Sequence, residues 1–182
     1  MTSNVATIRH CSVDDSALLR AIRLEALLDS PEAYGSTYEE ARTWAERHWK
    51  ALARQWNYYL AELGGRVVGV ASGGSNESHP GTRWLYGMYV SPSARGSGVA
   101  DQLVAVVEQW ARDQGVDKLY LHVAGPMSRA KAFYESVGFA ATGDVMNMAR
   151  DPSIQLATMV KSLACRGDAG VRGASRARRR TL

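Results

Sequence analysis

A mixed α+β fold, with a central mixed sheet flanked by helices, is predicted by three features of this chain. Apolar spacing switches repeatedly between the period of two of a strand and the wider period of a helix. A Gly64-Gly65 pair lies between two β-rich runs, the signature of a hairpin. At the centre, a strand, a glycine-punctuated turn, a helix and a further strand follow one another.

Val5 to Arg9 reads as a first strand. Ser12, with Asp15 three residues on, resembles a capping box, and the helix it opens aligns Ala17, Ala21, Leu24 and Leu28. Asp29-Ser30-Pro31 ends that helix, and Tyr34 to Tyr38 is expected to be a loop. A second helix carries Ala45, Trp49, Leu52 and Trp56 in register, with Trp49 and Trp56 expected in the core. Tyr58 to Leu63 and Arg66 to Ala71 form the hairpin, Gly73 to Gly81 a polar loop, and Arg83 to Val90 the fourth strand. After Ser91-Pro92, the turn at 95–98 opens a helix with Val99, Leu103, Val106, Val107 and Trp110 on one face, closed by Gly115. Lys118 to Val123 is a fifth strand, and Ser128 to Val137 a short helix ended by Gly138. Phe139 to Thr142 and Leu156 to Leu163 are the last two strands.

The chain has 182 residues, 46% hydrophobic and 22% charged, which suits one soluble domain. No apolar run reaches the ~18 residues of a membrane span, and Met1 to Ile8 has no secretory pattern, so a cytoplasmic protein without a membrane partner is expected. Cys11 and Cys165 have neither metal nor redox spacing, and no metal is expected. The net charge of +4 is misleading. Residues 166–182 hold six arginines against Asp168, leaving 16 basic and 17 acidic groups before them. Residues 1–164 are therefore read as one near-neutral domain. Residues 165–182 are read as an arginine-rich tail, too poor in large apolar groups to offset its ordering entropy. Nucleic acid is not the expected partner, since only the tail is basic.

Chemistry concentrates in Val90-Ser91-Pro92-Ser93-Ala94-Arg95-Gly96-Ser97-Gly98-Val99-Ala100. A helix that starts in such a turn offers unpaired N–H groups and its positive dipole end to an anion. Glycine at 96 and 98 lets that anion approach the backbone, and Arg95 adds a forked donor. The pattern lacks the Gly-Lys-Ser/Thr of a P-loop and the third glycine of a dinucleotide site. By itself it fits a tight turn as well as a phosphate site.

This arrangement resembles the acetyl-CoA motif of the GCN5-related N-acetyltransferase (GNAT) superfamily. Ala130-Lys131-Ala132-Phe133-Tyr134-Glu135-Ser136-Val137-Gly138-Phe139 is similar to a second segment of that family. The resemblance spans roughly residues 5–163. It implies the GNAT fold, with strands four and five splayed apart, and acetyl-CoA as donor for transfer to an amine. It places the pantetheine arm beside Met88, Tyr89 and Val90 and the pyrophosphate on the amides of Arg95, Gly96, Ser97, Gly98, Val99 and Ala100. Where the family often has Asn, this chain has Met127, and Ser128 is the candidate replacement. The resemblance also implies an oxyanion donor in the Val90 amide and a hydrogen-bond donor to sulfur in Tyr134. A phenol, ordinarily near pKa 10, shares a proton with a thiolate more readily than it gives one up.

The family's usual strand-four carboxylate is missing from Thr82 to Val90. Glu39 and Glu40, His122 and a water relay are the alternatives for the base. Aromatic residues such as Tyr34, Tyr38, Trp44 and Tyr86, with Glu39 and Glu40, suggest an acceptor pocket for a small cationic or amphipathic amine. Acetylation of a protein N-terminus or lysine, and a catalytically idle acetyl-CoA sensor, are the competing readings. Dimers are common in the family, so a homodimer is open.

Overall fold

The computed structural model describes residues 6–163, so Val5, the expected boundary at 164, Cys165 and the arginine-rich tail lie outside the described residues. In order these are β1 (Thr7–His10), α1 (Ser16–Asp29), α2 (Tyr38–Ala41), α3 (Glu46–Gln55), β2 (Asn57–Leu63), β3 (Arg66–Asn76) and β4 (His79–Val90). There follow α4 (Val99–Asp113), β5 (Lys118–Ala124), α5 (Ser128–Ser136), β6 (Ala140–Asn147) and β7 (Gln155–Ser162). Seven strands make one mixed sheet in the order β1-β2-β3-β4-β5-β7-β6, as the mixed α+β reading requires. Only β4 and β5 pair in parallel, and only at Arg83↔Leu119 and Trp84↔Tyr120. Beyond Trp84 the two strands separate, and this is the splay expected of strands four and five.

Strands buried on both faces need apolar residues at successive positions. Leu60-Ala61 and Val70-Ala71 supply them, and Tyr89-Val90 does so in β4. One member of each pair faces α1 and α3, where Leu19, Ile22, Ala26 and Trp49 complete a core. The other faces α4, where Val99, Leu103, Val104 and Val107 complete a second. Trp49 is core, as its spacing implied, whereas Trp56 is only half-buried.

Three local expectations are corrected. In α1 the stripe Ala17, Ala21, Leu24, Leu28 does not form the core face: Ala17, Ala21 and Leu28 are exposed, and Leu24 alone packs partly against the core. Leu19, Ile22, Ala26 and Leu27 are buried instead, and Leu28 is 62% exposed. Apolar residues surround this helix, so its own periodicity permits two faces and the sheet selects one. The Tyr34 to Tyr38 loop gives way to α2 at Tyr38. Thr37 and Glu40 form a capping box there, with Glu40 N–H donating to Thr37 Oγ1 at 3.2 Å and Thr37 N–H to Glu40 Oε2 at 3.0 Å.

The third correction is the polar loop expected at Gly73 to Gly81, most of which is strand: β3 runs to Asn76 and β4 begins at His79. Its glycines are spacers. A Cβ on Gly73 would sit 2.3 Å from the Trp110 ring, and one on Gly74 would sit 2.3 Å from the Trp56 ring. Two indoles on opposite faces thus lie flush against the bare backbone of β3. Gly73→Ala should cost about 1–3 kcal/mol by overpacking. Urea denaturation will measure it, and the penalty should shrink in a Trp110→Leu background.

Candidate active site

The separation of β4 from β5 opens a cavity of about 1060 Å³ running through the sheet. One end is formed by the turn before α4, where Gly96, Gly98, Ala100 and Asp101 line it. Gly96 and Gly98 have φ of +80° and +82°, conformations open to glycine at little cost. The first intrahelical bond of α4 runs from Gln102 N–H to the Gly98 carbonyl. The amides of residues 99–101 are therefore left for a partner outside the helix. Val99 itself is core, and Ser97 is exposed with its hydroxyl donating to the Ala94 carbonyl at 2.6 Å.

Arg95 lines the cavity but is turned back onto the body of the protein. Its Nε donates to the Val90 carbonyl at 3.1 Å and its Nη2 pairs with Asp29 at the end of α1. It holds the turn against α1, a role that its sequence position gave no sign of. Ser128 is exposed and does not line the cavity, whereas Met127 and Arg129 do. Arg129 forms no ion pair among the described residues, and sequence reasoning missed it.

The middle of the cavity is bounded by Met88, Tyr89 and Val90 of β4, by Val123 and Ala124 of β5, and by Tyr134 of α5. Ser91 N–H donates to the Val68 carbonyl at 2.8 Å. Antiparallel pairing alternates, so Val90, opposite Gly69, points its N–H and C=O away from β3 toward the opening. Tyr134 is 8% exposed, against Phe133 and Phe139 with ring centroids 5.4 and 5.8 Å away. Burial raises its pKa well above the usual phenol value, and Tyr34 adds to the rise. Tyr134 therefore stays protonated and is a hydrogen-bond donor, not a facile source of a proton.

The far end is an aromatic chamber between the sheet and the α1–α3 layer, with Tyr34, Trp44, Trp56 and Tyr86 on its walls. Two residues of β4, Gly87 and Met88, stand where β3 has one, because the register shifts between Val70 and Ser72. Gly87 accommodates this bulge at φ +59°. The bulge aims the Met88 carbonyl at the Tyr34 hydroxyl, which donates to it at 2.9 Å. Burial pushes the Tyr34 pKa up to about 12. A segment after β6 closes the chamber. Met148 and Ala149 line it, and Arg150 donates to the Pro31 carbonyl at 2.8 Å and the Tyr34 carbonyl at 3.2 Å. No pattern in the sequence couples residue 150 to residues 31–34.

Glu39 and Glu40 do not reach this cavity, which corrects the expectation that they wall it. Both are exposed. Glu39 binds Arg42 at 2.6 Å, and the Glu40 carboxylate caps α2, with a pKa lowered by the Thr37 backbone and side-chain bonds. Asp101, at the opposite end, is the one carboxylate among the described lining residues. His122 does line the chamber, on the face of β5 that it shares with Tyr120, with both rings beside Trp84 at 4.5 and 5.2 Å. Desolvation, with a smaller contribution from His79, lowers its pKa, so it is neutral at pH 7.

These features can be set beside known proteins. An uncharacterized N-acetyltransferase, YjgM, of Escherichia coli (strain K12) is 30% identical over 135 residues, 69% of this chain and 76% of that protein. N-acetyltransferase family 8 member 2 of Rattus norvegicus is 36% identical over 90 residues, 48% of this chain and 40% of its own length. This chain thus spans about two fifths of the first curated relatives it matches. Among solved structures, yncA of Salmonella typhimurium, with its cofactor acetyl-CoA, superposes at a TM-score of 0.71 and 23% identity. The match covers 88% of this chain and 95% of that one. An acetyltransferase of the GNAT family from Streptococcus pneumoniae superposes at 0.73 and 17% identity, over 88% of this chain and all of that one. Both show the shared fold. Residues 22–139, which run from α1 through the glycine turn to Phe139, match the Acetyltransferase (GNAT) family, and the chain belongs to it.

Proposed function

We propose that this protein is an N-acetyltransferase that moves the acetyl group of acetyl-CoA directly to the primary amine of a small molecule. The observation that carries this reading is the parallel β4–β5 pairing that stops after two residue pairs and opens a through-cavity. Its three parts suit the three parts of the reaction. The amides of residues 99–101, with Gly96 and Gly98, suit a pyrophosphate at a helix start. The β4 edge at Met88 to Val90 suits a pantetheine arm laid along it as an extra strand. The aromatic chamber suits an acceptor, and its closure by the Arg150-tethered segment favours a small molecule over a protein surface.

Attack on a thioester carbonyl places negative charge on its oxygen, and a backbone N–H directed at that point stabilises it without reorganisation. The Val90 amide is the proposed donor. Tyr134, kept protonated by burial, is proposed to hydrogen-bond the departing sulfur. The acceptor must also lose a proton, since an alkylammonium has a pKa near 10.4. Water in the cavity is the proposed route for it, with neutral His122 the one imidazole among the described lining residues. Glu39 and Glu40 are not assigned the role, because they face solvent. Cys11, wholly buried just after β1, is also no nucleophile: burial raises its pKa to about 11.

Free-thiol release from acetyl-CoA across an amine panel tests the activity, and no release with any amine would refute it. Tyr134→Phe keeps the packing and removes the donor. It should lower kcat by about 100-fold while acetyl-CoA affinity stays within about threefold; an unchanged kcat would remove Tyr134 from the reaction. A second expectation concerns pH. The folded protein resists protonating His122, so below the unfolded pKa of about 6.5 the unfolded chain binds more protons and stability falls with pH. His122→Asn should flatten the fall in urea stability between about pH 6.5 and 5.

A further inference from the structure

We infer that the acceptor carries a carboxylate close to its amine, as an α- or β-amino acid does, and that Arg23 binds it. This rests on the acetyl-transfer reading and adds the class of acceptor. Arg23 projects from α1 into the aromatic chamber. Its guanidinium Cζ lies 4.8 Å from the centre of the Tyr34 ring, and its Nη1 stands 3.0 Å from where a Cβ on Gly87 would be. That Nη1 is buried and has no hydrogen-bond partner. Among the described residues Arg23 forms no ion pair, although six other arginines and lysines of the domain do so.

A guanidinium cannot discard its proton in a protein, so burying an unpartnered N–H has a persistent cost. Such a group in a cavity wall fits a ligand that supplies the anion. The surroundings favour the same ligand. No carboxylate lines this half of the cavity, so a second ammonium on the acceptor would find no counter-ion, and Arg23 would repel it. Ser72, almost fully buried beside Gly87 with its hydroxyl on the Tyr86 carbonyl at 3.2 Å, is the neighbouring polar group. The bulge matters as well. A Cβ on Gly87 would crowd Nη1 at 3.0 Å, and the Gly87 backbone carries the site three residues from Val90, about 10 Å along the strand. A charge-assisted contact at one end and an attack distance at the other each take up about 3 Å. The remainder fits an amine and a carboxylate separated by only a few atoms. Trp44, Leu52 and Trp56 would then receive an apolar side chain.

The experiment compares each of a set of amino acids with its decarboxylated amine and its carboxamide, scoring thiol release from acetyl-CoA. Wild type should favour acids over both analogues by about tenfold to a hundredfold in kcat/KM. In Arg23→Met the ratio should fall toward one, with Arg23→Lys between, and calorimetric acetyl-CoA affinity serves as the control for folding. Decarboxylated amines or amides used as well as the acids by wild type would overturn the inference, as would a ratio unaltered in both variants. If no amine releases thiol, acetyl transfer fails and the carboxylate site is judged by binding alone. N-acetylated amino acids titrated into CoA-saturated protein should then bind wild type and lose affinity in Arg23→Met. Equal affinity for both proteins, or none for wild type, would overturn it.

Discussion

The parallel contact between β4 and β5 is limited to two residue pairs, Arg83↔Leu119 and Trp84↔Tyr120, and the rest of the site follows from that limit. A complete ladder would satisfy the facing backbone groups of both strands and leave no room between them. Here β5 is held on its other side by seven pairs with β7, so it stays in the sheet while β4 diverges. Aromatic contacts of Trp84 with Tyr120 and His122 hold the point at which the strands part. Past it, the outward edge of β4 has backbone groups that a sheet partner does not take, beside the start of α4.

Charged side chains of the domain help to hold that opening. Asp29 and the Val90 carbonyl hold Arg95 at the mouth, and Arg150 ties the segment after β6 to the carbonyls of Pro31 and Tyr34. Both arginines fix loops from different parts of the chain around one cavity. Arg23 is the exception, since it is directed into the chamber with an unpaired N–H. The contrast is informative: Arg95 and Arg150 have protein partners, and the buried Nη1 of Arg23 does not.

The amino-acid sequence by itself determined the order of the strands along the chain, the glycine turn before α4 and the place of Tyr134 in the short helix two elements later. Each is local: a turn needs its glycines, a helix its apolar spacing, and the two motifs keep their separation along the chain. The same local logic located His122 and Tyr120 on one face of β5. It failed where two local solutions were equally good. Helix α1 is apolar on most sides, so the face it buries was chosen by the sheet. Glycines 73 and 74 look like loop residues until Trp110 and Trp56 are seen to lie on them.

Only the tertiary structure decided which charged groups face the cavity. Glu39 and Glu40 lie near the aromatic residues in sequence, yet capping and a local ion pair direct both away from the chamber. Arg23 sits between apolar neighbours of α1 and no sequence pattern marks it, yet the bulge at Gly87 and the Tyr34 ring form its surroundings. The reason is physical. Helix spacing and turn chemistry act over a few residues and can be read along the chain, whereas a side chain's electrostatic partners are set by contacts between segments tens of residues apart.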